Sequence, residues 1–124
     1  MARIHQDEMT EARVVAIWIG DHRDELHLDE YMMEQFEDDF GFTVNERRMP
    51  EIDTQPEPVP VAELLKGFSM WENWYGSAIA TCAVSGIERC SGAVVFHFLR
   101  YAPERCDVAE NPGLRFIGNF DWPE

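Results

Sequence analysis

Positive charge is scarce in this sequence: ten Lys and Arg stand against 24 Asp and Glu, a net charge of −14 over 124 residues. That shortage disfavours binding to nucleic-acid phosphates or an anionic membrane surface, both of which recruit Lys and Arg. Long hydrophobic runs are missing as well. The longest, Val14 to Ile19, falls far short of the roughly 20 residues of a transmembrane helix. Met1-Ala2-Arg3-Ile4-His5-Gln6-Asp7-Glu8 holds no apolar stretch of the signal-peptide kind, so export is not expected. Cysteine is sparse and odd in number: Cys82, Cys90 and Cys106 show no Cys-x-x-Cys spacing. Reduced thiols in a cytoplasmic protein are therefore expected, rather than a disulfide framework. Also lacking are a phosphate-binding glycine loop, a nucleophile-elbow pattern, a His-x-x-x-His pair and a calcium-loop spacing.

What is present is enough apolar material for one globular domain, with 45% hydrophobic and 12% aromatic residues. Met1 to Glu11 is polar and reads as a frayed lead-in. Ala12 to Ile19 reads as a strand covered on both faces, because its apolar run is continuous and rich in β-branched residues. From Asp24 to Phe40 the period becomes helical. Leu28, Tyr31, Met32, Phe36 and Phe40 form one stripe, with Glu30, Glu34, Glu37 and Asp38 roughly opposite and a break possible midway. Gly41 is a natural left-handed stop.

Phe42 to Ile52 has room for short strands, and Asp53 to Pro60, with three prolines, reads as an extended loop. A short helix is expected over Val61 to Lys66. A longer one follows Ser69, whose spacing to Glu72 fits a capping box, and runs to near Gly86. Its apolar face would carry Trp71, Trp74, Tyr75, Ala78, Ile79 and Cys82. The aromatic trio is read first as core, with a surface platform as the alternative. Ala93 to Leu99 reads as a central strand, and Leu114 to Phe120 as an alternating one. The order predicts a single-domain α+β sandwich, a mainly antiparallel sheet packed with helices.

The most distinctive feature is acidic. Between Arg23 and Arg47 there is no base, yet nine carboxylates occur. Of these, Asp24, Asp29, Glu30, Glu34, Glu37, Asp38 and Asp39 are the candidate partner-binding residues. Like charges at i, i+4, such as Glu30 and Glu34, each cost a helix about 0.2–0.5 kcal/mol. A helix kept only for its buried stripe would relieve them with Lys or Arg. The functional reading is a negative ridge that steers toward and covers a basic site on another protein. The plainer reading is a solvated face. The excess is lopsided, with 16 acids and 5 bases in residues 1–60 against 8 and 5 in residues 61–124.

Metal binding has weak support in His22, His27, Asp21 and Asp24, which lie close in sequence without a helical ligand spacing. His97, inside an apolar strand, reads as a hydrogen-bonded core histidine. No catalytic residue is assigned.

Taken in order, several segments resemble the immunity protein 22 family of bacterial polymorphic toxin systems. They are Val15-Ala16-Ile17-Trp18-Ile19-Gly20, Leu28-Asp29-Glu30-Tyr31 and Phe36-Glu37-Asp38-Asp39-Phe40-Gly41. Val61 to Ser69 and Leu114 to Phe120 complete the series, which spans Arg13 to Trp122. The Pro-rich Glu57-Pro58-Val59-Pro60 and the tryptophans after Ser69 depart from that pattern. The resemblance implies a small cytoplasmic α+β protein that binds and neutralises a cognate toxin domain, without catalysis or a cofactor. The acidic ridge would suit a nuclease toxin, whose groove presents bases for phosphate. The competing function classes are an acidic interaction or chaperone-like module and a small metal-dependent hydrolase.

Overall fold

A computed structural model describes residues 3–20, 25–110 and 112–123. The backbone forms β1 (Ile4–His5), a 3-10 turn (Gln6–Met9), β2 (Thr10–Gly20), α1 (Glu25–Glu34) and α2 (Phe36–Phe40). It continues through β3 (Phe42–Thr43), β4 (Glu51–Pro60), α3 (Val61–Leu64) with a 3-10 turn (Leu65–Gly67), α4 (Trp71–Val84), β5 (Arg89–Leu99) and β6 (Arg115–Asp121). The fold is α+β, as expected. The main sheet is antiparallel throughout, in the order β4-β5-β2-β6, with β1 and β3 forming a small parallel pair beside it. No helix of the described residues is long and apolar enough to cross a membrane.

The continuous apolar runs of β2 and β5 are explained by two cores, one on each face of the sheet. Val15, Ile17, Ile19, Ala93 and Val95 point to α3 and α4 and meet Leu64, Leu65, Phe68, Trp74, Ala78 and Cys82. Ala16, Trp18, Val94 and Phe96 point the other way, to Leu28, Met32, Phe36, Phe40, Phe42 and Tyr101. Alternating side chains thus enter different cores, so neither strand can afford a polar face.

Four sequence expectations change. The start of the chain, read as a lead-in, holds β1 and the 3-10 turn, and buries Met9 and Gln6. Gln6 donates to the Arg48 carbonyl and accepts from the Asn45 N–H, which ties the turn to a distant loop. The proline-rich segment is strand β4 at the sheet edge, not a loop. Its register jumps between Thr54 and Val59, so Pro56 and Pro58 sit in a bulge where a missing N–H costs no ladder bond. The expected capping box at Ser69 is not formed. Helix α4 starts one residue later, behind Met70 in a left-handed conformation (φ 61°) with no side-chain cap. Ser69 instead donates its N–H to Glu51 Oε1 at 3.0 Å, and its carbonyl lies 2.9 Å from His97 Nε2. Finally, the alternation of β6 is interrupted at Gly118: Phe116 packs with the α1/α2 core, whereas Ile117 and Phe120 pack with the α3/α4 core.

Gly41 ends α2 as expected, with φ 73° and its N–H donated to the Glu37 carbonyl at 2.8 Å. A Cβ placed there would lie 2.6 Å from the Asp107 nitrogen and 2.7 Å from its carbonyl oxygen. Backbone on both sides cannot move aside cheaply. Gly41→Ala is expected to lose about 2 kcal/mol, from left-handed strain plus overpacking, read as a lower urea midpoint. An unchanged midpoint would show that the 107–108 loop yields freely.

Candidate functional site

The acidic segment is two helices, not one. At Gln35 the backbone leaves helical geometry (φ −124°, ψ −31°), and α2 restarts at Phe36. The break lets Leu28 and Met32 of α1 and Phe36 and Phe40 of α2 all enter the core around Trp18. It also separates the candidate residues into groups with different fates.

Asp29, Glu30 and Glu34 are exposed on the outward side of α1. Met33 stands among them, at i+4 and i+3 from the first two, with 81% of its surface in solvent. Asp38 is also exposed but is held 2.8 Å from Arg3, an ion pair worth little at such a surface. Glu37 is half-buried and accepts the Val44 N–H at 2.6 Å, which fixes the chain as it leaves β3. Asp24 lies outside the described residues, as do Asp21 and His22.

Asp39 is a correction. Only 5% exposed, it cannot present its charge to a partner. Its Oδ2 accepts from Tyr31 Oη at 2.5 Å and from the Gly113 N–H at 2.9 Å, and its Oδ1 accepts from Gln35 Nε2 at 3.0 Å. Its carbonyl takes the Ala109 N–H at 2.8 Å. Burial opposes the charge, but these donors outweigh it and hold the carboxyl below its usual range. Burial and the adjacent Asp39 push the Tyr31 hydroxyl well up, so it remains a donor. The side chain is a joint between α1, α2 and the 107–113 segment. A signal was available in the spacing: Tyr31, Gln35 and Asp39 recur at four-residue steps, one row of a helix.

Beside the far end of the ridge lies a cleft of about 710 Å³, lined by Arg3, Asp38, Glu104 and Arg105 among others. Both signs of charge are mixed there. Among the described residues no group of three or more His, Cys, Asp or Glu side chains is placed to hold a metal ion. His27 is exposed on α1. His97 is hydrogen-bonded but only half-buried, with Nδ1 3.4 Å from Glu51 Oε2 and Nε2 facing the Ser69 carbonyl. Its ring holds a turn between β4, β5 and the start of α4. None of the three cysteines forms a disulfide; Cys82 and Cys90 are buried and Cys106 half-buried, and burial pushes the Cys82 thiol up.

The aromatic trio divides as well. Trp74 is core, whereas Trp71 and Tyr75 are half-buried at its margin. No family model matches the chain, and no curated protein or solved structure was found to be similar to it. The resemblance to the immunity protein 22 family therefore rests on the sequence segments alone.

Proposed function

We propose that the chain is an immunity protein that binds a cognate toxin domain stoichiometrically, with the outward face of α1 as its docking edge. The observation that carries this reading is a row of exposed carboxylates, Asp29, Glu30 and Glu34, around an exposed methionine, with no base interleaved. Carboxylates raise the encounter rate with a basic surface, and a flexible thioether supplies apolar contact once water is expelled. A nuclease domain fits as the target, because carboxylates can occupy the positions where its Lys and Arg hold phosphate.

The direct test is growth rescue. Co-expression with the C-terminal domain of a secreted toxin encoded beside this chain should restore growth that the domain alone abolishes; no rescue overturns the reading. With that domain purified, Asp29→Lys, Glu30→Lys and Glu34→Lys together should slow association about tenfold at low salt and flatten its salt dependence. Rescue with unchanged kinetics would keep the function and move the docking face elsewhere.

A further inference from the structure

The surface at the start of α4 lies on the sheet face opposite α1, so it is separate from the acidic ridge. Here the rings of Trp71 and Tyr75 meet edge to face, centroids 5.3 Å apart at 79°. Tyr75 is pinned by its hydroxyl, which donates to the Ala62 carbonyl at 2.9 Å. Above the pair sits the ammonium of Lys66, 5.9 Å from the Trp71 centroid and 5.7 Å from that of Tyr75. Lys66 is the only lysine in the sequence. Among the described residues it forms no ion pair, although Glu63 is exposed on the adjoining helix α3. The long exposed stem leaves the ammonium free to swing away. Its seat is the negative face of two rings. Met70, the residue before Trp71, is exposed and in a left-handed conformation.

We propose that the Trp71–Tyr75 pair is a receptor notch for an arginine or lysine side chain of a basic partner protein, occupied in the free chain by Lys66. Three observations fix the occupant as a cationic side chain. A cation already rests there; the rings are held in place by packing and the Tyr75 hydrogen bond; and the chain's net charge of −14 favours basic partners over acidic ones. Guanidinium is the better fit of the two cations, since its plane stacks on a ring and it is more weakly hydrated than ammonium. The arriving side chain displaces Lys66, which returns to solvent at small cost because its stem is exposed. Such a notch would serve any basic protein segment, whether or not the partner is a toxin.

The test uses the full chain and the peptide acetyl-Gly-Arg-Gly-Arg-Gly-amide, with the dissociation constant of every variant measured by calorimetry and the Trp71 indole N–H resonance locating the site wherever Trp71 is present. Lys66→Gln empties the notch and should tighten peptide binding about two- to fivefold. The citrulline twin of the peptide, which lacks charge, should not shift the resonance. Arg89→Gln removes one positive charge elsewhere and should tighten binding less than Lys66→Gln does. In a Trp71→Leu background the gain from Lys66→Gln should vanish. Equal tightening in Arg89→Gln, or a gain that survives Trp71→Leu, means general electrostatics and overturns the proposal. So does a Trp71 response to tetramethylammonium at lower concentration than to the peptide, which would mark a site for free small cations.

Discussion

Trp18→Ala should cost about 4 kcal/mol or more, enough to unfold a large fraction of a domain of ordinary stability. Trp18 is fully buried on the α1/α2 face of β2 and meets six other rings. Centroid separations run from 4.9 Å to Phe116 to 6.4 Å to Phe42, with edge-to-face arrangements against Phe36, Phe40 and Phe96. Removing the indole leaves a void bounded by α1, α2, β3, β5, β6 and the segment carrying Tyr101. Those elements cannot all close in at once, so the cavity penalty adds to the lost transfer energy. Trp18→Phe, which keeps one ring, should cost roughly half as much. Among the described residues the Trp18 indole N–H has no hydrogen-bond partner, so the phenyl forfeits packing area and no hydrogen bond. Urea unfolding of the three proteins checks both figures; a loss under about 1 kcal/mol for Trp18→Ala would mean that the cage collapses readily.

The cage also explains which parts of the fold were legible in the sequence. Apolar runs such as Val14 to Ile19 report burial on two faces directly, since every alternate side chain must satisfy a different core. The helical stripe of Leu28, Met32, Phe36 and Phe40 was legible for the same reason. What stayed hidden depended on partners far along the chain. Ser69 has capping-box spacing, but Glu51 and His97 engage its backbone, and neither could be placed beside it from local sequence. Pro56 and Pro58 argue for a loop unless the segment is known to be an edge strand, which only the pairing with β5 decides. Gln6 and Met9 looked like a polar start because one turn carries too few residues to show a period.

The site was legible to a different degree. Charge counting found the right region and overestimated its membership, because it treats a carboxylate as solvent-facing by default. Structure divides the six candidates among the described residues by what surrounds each carboxylate: donors for Asp39 and Glu37, an arginine for Asp38, open solvent for Asp29, Glu30 and Glu34. The repulsion left on α1 is therefore confined to its outward face, the part that a basic partner would relieve. The clasped acids serve a separate purpose, which is to fix how α2 and the loop after Cys106 sit behind that face.

That purpose gives the second large effect. Asp39→Ala should destabilise the chain by about 3 kcal/mol at neutral pH, because it strands three donors at once: the Tyr31 hydroxyl, the Gln35 amide and the Gly113 N–H. The wild-type advantage should depend on acid in a defined direction. The folded carboxyl is held below its ordinary value, so the unfolded chain takes up the proton first as pH falls. Its stabilising contribution is complete above the unfolded carboxyl range, about pH 4, and drains away as pH drops through the lower folded value. Asp39→Asn keeps the size and one acceptor but turns an amide N–H₂ toward donors, and should lose about 2 kcal/mol at pH 7. Urea midpoints of wild type and Asp39→Asn should therefore approach one another as pH falls below about 4. A gap that stays constant over that range would show that the carboxylate charge contributes nothing and that shape alone holds the joint. Both variants should also lose protection from amide hydrogen exchange at Ala109 and Gly113, whose N–H groups Asp39 accepts through its carbonyl and its carboxylate.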